Sequence, residues 1–554
     1  MHTQKKTWLF LAAVLLLGFT LRLVALGSVP SGLHADEASF LVNATALMET
    51  GKDEDGRLLP ISLNSLIDPK PALYSYLQVP AVALIGSTPF AARLPAALLG
   101  VVSLALMFVV LRSTVSKTVS LVATAMLAIS PWHIMASRAT QEVILSFVFV
   151  LLAVWAFQKL VQRFSVQPLI LLAISSFAAM YSYHAAKVFL PALFVSYLGV
   201  LLLQQKMALR KGVSVVAVLF VAAVASVLLQ ESSTRFSAVG ILSSDEPQIS
   251  ITEQTYAATG LVSQPTLRAF YNKPVFYGRA FVSEYLEHFT ADFLFLSGGE
   301  PKRYVVPFHG LLHLIELPLI LLGLYAVAVK KEQTGLFFGL WLVLSPLPAA
   351  LTFQETPSTI RTFAMVVPLV FFVARGLVWL LTYLEKKRAI QLATATGFIA
   401  VLLWQHSYFW MQFAVQQQVY QPWSRNNPYQ TIASKLSEID DSYDAVYVTN
   451  DLRPLYLYFV LEGLIPITEL QDNPGARHTA TYTLGKYTFN RDNCEFETFS
   501  ESALYIAEVA CREGEILPPG FSVVETVSYQ DGVRVYELLE YNAVETPSAE
   551  VFTR

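Results

Sequence analysis

The feature that most constrains this chain is a succession of long apolar blocks, separated by short turns that carry Lys and Arg. A helix rises about 1.5 Å per residue, so roughly 20 apolar residues cross the hydrocarbon of a bilayer. Blocks of this kind occur at 7–27, 92–112, 118–136, 141–160, 167–183, 188–205, 212–230, 307–328, 335–352, 362–384 and 389–410. They predict about 11 transmembrane helices. Composition agrees: 14% of residues are charged, against about 25% in a soluble domain. The net charge of −3 provides no basic field and excludes nucleic acid as a partner. The first block follows Lys5 and Lys6 and ends near Ala25-Leu26-Gly27, a small-residue pattern that also suits a cleaved leader. Its length, and the equal blocks behind it, favour an uncleaved first span.

Basic residues set the expected orientation. With the N-terminus in the cytoplasm, every cytoplasmic turn holds a basic cluster, from Lys5 and Lys6 to Lys386, Lys387 and Arg388. The opposite turns hold isolated charges such as Arg138, Lys187 and Arg361. An odd number of spans leaves the C-terminus outside. Three segments then lie outside: 28–91, 231–306 (with the polar run Gln230 to Ser233 at its start) and 411–554. The division predicted is a membrane domain over 1–410 and an extracytoplasmic domain over 411–554. The latter has β-branched and aromatic runs, Ala445–Thr449 and Val533–Tyr536, that predict a small α/β domain. Cys494 and Cys511 both fall there, either paired or as two free thiols.

The first outer segment carries the most chemistry. Asp36 and Glu37 precede Phe40, Leu41, Ala44, Leu47 and Met48, an apolar helical face that Gly51 ends. This predicts an amphipathic helix on the membrane surface. Acidic residues suit a helix start, but a carboxylate just outside a span can also take a proton from an acceptor hydroxyl. Further on, Pro69 and Pro71 stiffen the backbone around Lys70, a cation able to hold a phosphate at headgroup level or simply to snorkel. The apolar stretch 72–86 is short for a span and predicts an interfacial or re-entrant helix.

These residues, with Ala92-Arg93-Leu94-Pro95, Ser137-Arg138, Glu142, Tyr183-His184 and Arg361, resemble the GT-C superfamily of membrane glycosyltransferases. Within it the chain is most similar to the bacterial branch of protein O-mannosyltransferases and lipid A aminoarabinose transferases. The resemblance covers spans one to ten; the C-terminal region carries little of it. It implies a polyprenyl-phosphate sugar donor and an inverting transfer at the outer face of a bacterial cell membrane. The acceptor is a protein, glycolipid or glycan hydroxyl, and membrane lipids are the surroundings. By the same resemblance Asp36 is the general base, Glu37 supports it or the acceptor, and Lys70 holds the donor phosphate with Arg138 or Arg361; His184 belongs to the substrate-binding set. No cofactor beyond the lipid-linked donor is implied. Relatives often carry a histidine in the loop at 353–361, and this chain does not.

Other polar residues stand in apolar surroundings. Arg22 either snorkels or pairs with an acidic residue, and Arg375 is expected to snorkel. His309, His313 and Glu316 fall at i, i+4 and i+7, one face of a helix. That face fits a metal ion, but a polar lining of a substrate cavity, shared with Arg22 and Tyr74, is the expectation. A transporter or flippase for a lipid-linked or polar substrate is the main alternative function. It predicts repeats and interrupted spans near the midplane, and neither is evident in the sequence. A non-catalytic scaffold is the third reading, in which Asp36 and Lys70 are replaceable.

Overall fold

The structure is a computed structural model that describes residues 2–65, 68–229, 240–243, 245–420, 422–425, 427–449, 454–491, 494, 496, 499–511, 517 and 520–542. The run Gln230 to Ser233 lies outside the described residues. The chain forms two compact units. One comprises 1–30, 69–74 and 93–416; the other comprises 31–68, 75–92 and 417–554. The first outer segment thus folds in one unit with the C-terminal region.

The helices run in order α1 (His2–Leu23), α2 (Ala35–Thr50), α3 (Leu73–Ile85), α4 (Pro89–Arg112), α5 (Lys117–Ile129), α6 (Pro131–Ala136), α7 (Glu142–Gln162), α8 (Val166–Ser182), α9 (Ala185–Leu203) and α10 (Leu209–Leu228). Then come α11 (Glu246–Ala258), α12 (Gln264–Phe270), α13 (Lys273–Glu287), α14 (Glu316–Lys330), α15 (Gln333–Leu344), α16 (Leu347–Ala350), α17 (Val366–Tyr383) and α18 (Arg388–Met411). Among the described residues, 8 helices are long and apolar enough to cross a membrane. The other three expected spans contain α5, α8 and α14, of 13, 17 and 15 residues. Pro131 ends the α5 block and restarts it as α6, capped by Ser130. The block at 307–328 starts as irregular chain, and its helix begins only at Glu316. The stretch 72–86 forms α3, at 13 residues short for a span.

In the first unit, α14 and α17 pack with their backbones in close contact. A Cβ on Gly323 would stand 2.0 Å from the Phe372 carbonyl oxygen, and one on Gly376 would stand 2.0 Å from that of Leu319. Glycine at both positions lets the backbones touch, the usual means of close packing between apolar helices. Arg375 does not snorkel: it is buried and pairs with Glu332, because an ion pair satisfies a guanidinium that the helix crossing removes from solvent.

The second unit contains the short strands β1 (Ser62–Ser65) and part of β2 (Asp68–Pro71), and a six-stranded sheet. That sheet is built from β3 (Ala445–Val448), β4 (Thr481–Leu484), β5 (Tyr487–Asn490), β6 (Ala503–Glu508), β7 (Phe521–Ser528) and β8 (Arg534–Tyr541), in the order β4-β5-β3-β6-β8-β7. The central β3 is parallel to both neighbours, with Val446 opposite Tyr487 on one side and Leu504 on the other. The outer pairs are antiparallel. Helices α19 (Asn427–Ile439) and α20 (Tyr456–Leu461) complete the expected α/β architecture. Cys494 and Cys511 form a disulfide.

Candidate active site

In the second unit, α2 starts at an unusual cap. His34 is the N-cap: its Nδ1 accepts the Asp36 N–H at 3.2 Å, and its own N–H donates to Glu37 Oε2 at 3.1 Å. The reciprocal bonds satisfy two amides that a helix start leaves open. Gly51 ends α2 in the left-handed region, as expected. The surface-helix expectation fails, however. Ser39, Asn43 and Glu37 are as buried as Phe40, Leu41 and Ala44, so α2 is enclosed on both faces from Glu37 to Leu47, and only Asp36 and the last turn keep exposed surface. Its polar side chains find partners inward: Ser39 Oγ donates to Ser65 Oγ at 2.6 Å, and Asn43 Nδ2 donates to Glu54 Oε1 at 3.0 Å.

Asp36 and Glu37 have different surroundings. The Glu37 side chain is fully buried and its Oε2 lies 2.5 Å from Arg425 Nη2, which is equally buried. The Asp36 side chain keeps 28% of its surface, with Oδ2 3.4 Å from His34 Nδ1. Glu37 is therefore committed to an ion pair and a cap, while Asp36 keeps part of its surface exposed. Sequence reasoning missed both His34 and Arg425; His34 stood beside the pair, but nothing in the sequence announces a partner 388 residues away.

The first unit holds the cations. Lys70 lies in β2 and is buried to 5% exposure, and Tyr74 is fully buried. Three buried arginines gather around the C-terminal end of α1. Arg138 donates to the carbonyls of Leu21 at 2.9 Å, Ala25 at 3.2 Å and Val29 at 2.8 Å. Arg93 donates to Leu26 at 3.1 Å and Pro30 at 2.8 Å. A helix C-terminus exposes carbonyls and carries partial negative charge, so guanidinium forks suit it. Burial and then the nearby Arg93 pull Arg138 down to about 10, still cationic at neutral pH.

Arg22 neither snorkels nor meets a carboxylate. It donates to the Gly18 and Ala128 carbonyls, at 2.9 and 3.1 Å, and to His133 Nδ1 at 2.7 Å. His133 Nδ1 is thus an acceptor, so Nε2 carries the proton and donates to Ser103 Oγ at 2.8 Å. Gly100 makes room for this relay, since a Cβ there would stand 2.5 Å from Ser137 Cβ and 3.0 Å from Arg22 Cδ.

His309, His313 and Glu316 do not share a helical face, because α14 begins at Glu316. The sequence pattern presumed helix where Pro307 and Gly310 leave turns. The three residues are nonetheless buried, and the His309 and His313 rings meet edge to face with centroids 5.4 Å apart. His406, unnoticed in the sequence, reaches His313 with Nδ1 3.4 Å from Nε2. Among the described residues no group of three or more His, Cys, Asp or Glu side chains could hold a metal ion.

Arg361 borders a small apolar cleft. Val143, Phe147, Val150, Phe189 and Phe363 line it, with Tyr183 on its wall. His184, next to Tyr183, precedes α9 with Nδ1 3.3 Å from Lys187 Nζ. A smaller cavity shares Val143, Ile360 and Phe363 and adds Trp132, Gln141 and Tyr304. Arg361 also donates to Thr352 Oγ1 at 3.0 Å and lies near Glu355 at 3.7 Å. The loop at 353–361 is held by a histidine from elsewhere. His288 donates from Nδ1 to the Glu284 carbonyl at 2.7 Å and accepts the Ser358 N–H on Nε2 at 2.9 Å. Burial, with the Arg361 cation adding to it and the Glu284 carbonyl opposing, lowers His288 to about 4, so it is neutral at physiological pH. An apolar cleft with a guanidinium on its wall suits an amphiphile that joins a hydrocarbon chain to an anionic head.

Residues 69–230 match the model of the dolichyl-phosphate-mannose-protein mannosyltransferase family. A search of curated protein sequences returns no match. Among solved structures, the chain is similar to ArnT from Cupriavidus metallidurans bound to undecaprenyl phosphate, at 14% identity and a TM-score of 0.51, over 96% of this chain and 97% of that one. It is also similar to the archaeal oligosaccharyltransferase AglB from Archaeoglobus fulgidus, in complex with an inhibitory peptide and a dolichol-phosphate. There the identity is 11% and the TM-score 0.49, over 83% of this chain and 64% of the archaeal one. The fold of the chain is that of the GT-C membrane glycosyltransferases.

Proposed function

We propose that this chain, a multi-span membrane protein with the GT-C fold, moves a sugar from a polyprenyl-phosphate carrier to an acceptor hydroxyl. The observation that carries the reading is the cleft in the first unit, apolar along its walls with Arg361 at its border. Its apolar walls suit contact with the isoprenoid part of a carrier, and Arg361 stands where it could pair with the phosphate. The solved ArnT with undecaprenyl phosphate supports the same class of ligand.

The roles follow from charge. As the glycosidic bond to phosphate breaks, negative charge grows on the leaving oxygen, and fixed cations stabilise it best where water is scarce. Lys70 and Arg361 are assigned that role. Arg138 and Arg93, which donate to the carbonyls at the end of α1, shape the outer end of the helix instead. Asp36 is assigned as general base, taking the acceptor proton as the new bond forms on the opposite face of the sugar, so the configuration inverts. The distribution of Lys and Arg assigns the N-terminus to the cytoplasm and 411–554 to the outside, and the resemblance to the bacterial branch assigns the membrane to a bacterial envelope.

The test is transfer of labelled sugar from a panel of polyprenyl-phosphate donors by the purified protein in detergent, with candidate acceptors supplied. Asp36→Asn is expected to lower transfer by about 10²–10⁴ while donor binding and thermal unfolding stay as in the parent. Lys70→Ala and Arg361→Gln are expected to raise the donor KM. An Asp36→Asn protein as active as the parent would remove Asp36 as base. A folded parent that turns over no donor but moves lipid-linked sugar between leaflets of a vesicle would establish the transporter reading.

A further inference from the structure

The C-terminal region meets α2 at both of its ends. At the start, Arg425 Nη2 lies 2.5 Å from Glu37 Oε2, with neither side chain exposed. Tyr458 Oη donates to the Leu33 carbonyl at 2.6 Å. At the other end, Arg477 pairs with Asp55 and, at 3.4 Å, with Glu54. Tyr456 Oη donates to Glu54 at 3.0 Å, and Gln471 Nε2 donates to Thr50 Oγ1 at 2.8 Å and to the Asp53 carbonyl at 3.0 Å. Removing two charges from water is costly unless each is paired and hydrogen-bonded. The Glu37 carboxylate meets that condition, since it also accepts the His34 N–H at 3.1 Å.

We propose that Arg425 is a positioning residue for Asp36: by pinning Glu37, it fixes the rotation of α2 and with it the direction of the neighbouring carboxylate. Successive side chains on a helix point about 100° apart, so an immobilised Glu37 leaves Asp36 one direction. The role assigned to the C-terminal region is therefore to hold the base-bearing helix at its first and last turns. This rests on the transferase reading, because it takes Asp36 as the base.

The experiment uses the full-length purified chain and three variants: Arg425→Met, Arg425→Lys and the double Glu37→Gln with Arg425→Met. Arg425→Met is expected to lower kcat by about 100-fold, the effect of a displacement near 1 Å at a reacting group, with the donor KM within about threefold. Deuterium uptake over residues 32–40 should rise in the same protein. Arg425→Lys, which keeps the charge and loses the planar fork, should recover part of kcat. The double variant leaves no unpaired buried charge, so it separates the loss of the anchor from the cost of a stranded carboxylate, and its kcat should stay low. A double variant as active as the parent would overturn the proposal, because only the stranded charge had mattered. Unchanged exchange over 32–40 in Arg425→Met, or raised exchange with unchanged kcat, would overturn it as well. In all three cases the parent is active and the transferase reading stands. A parent that turns over no donor removes that reading and this proposal together.

Discussion

Adjacent carboxylates can look equivalent in sequence and have separate fates in space. Asp36 and Glu37 occupy the second and third positions of α2, and burial alone divides them: Glu37 faces Arg425 inside the fold, and Asp36 keeps a solvent-reachable edge. His288 shows the same principle through protonation. Free imidazole titrates near pH 6.5, whereas His288 is held at about 4 by burial. Between those values the unfolded chain binds a proton that the folded chain refuses. The stability His288 contributes is present above pH 6.5 and is lost as pH falls towards 4, by at most about 3 kcal/mol. Thermal melts of the parent and His288→Gln at pH 7 and 4.5 check this. The parent should lose more stability than the variant on acidification, and equal losses would sink the idea. The Asp36-Glu37 pair, Lys70 and Arg361 were legible as candidates because charge is conspicuous beside apolar spans. Arg425, His133 and His406 were not, since their meaning depends on partners that only folding brings near.

At the scale of elements, hydrophobic length identified where helices run but not always where they start. α4, α7 and α17 fall within a few residues of their apolar blocks. The block at 307–328 becomes helix only from Glu316, because Pro307 and Gly310 interrupt hydrogen bonding and the apolar count cannot register that. The crossing of α14 and α17 gives a prediction of its own. Gly376→Ala places a methyl against the Leu319 carbonyl, and Gly323→Ala places one against that of Phe372. Each should cost about 1–3 kcal/mol through overpacking, read as a lower unfolding temperature in detergent. Gly397→Ala in α18, where a Cβ meets nothing within 4 Å, serves as the control and should be neutral or slightly stabilising. If all three behave alike, close backbone contact at this crossing is not what holds it.

For the whole molecule, what matters is which distant segments share a compact unit. Residues 31–68 belong with 417–554, although every membrane span after the first separates them in sequence. Twelve residues of α2 are buried, Glu37 and Asn43 among them. A chain ending at Gln416 would leave Glu37 without Arg425, and Glu54 without Arg477 and Tyr456. It should expose Lys52 and Arg57 to trypsin within minutes, whereas the full chain should resist there. Equal resistance in the shortened chain would show that the first outer segment folds without the C-terminal region.

By itself the sequence determined that this is a polytopic membrane protein with an α/β region at its end, and it marked Asp36, Lys70 and Arg361 as chemistry worth testing. Apolar length and strand alternation are local quantities, and a single stretch of chain carries each in full. Tertiary structure alone decided that α2 is enclosed rather than lying on a surface. It decided too that Glu37 is spent on an ion pair, and that Arg22 and Arg138 bind carbonyls and a histidine rather than carboxylates. Those outcomes depend on which polar groups lose water together. A buried charge takes whatever partner the fold delivers, and here the partner of Glu37 lies 388 residues along the chain.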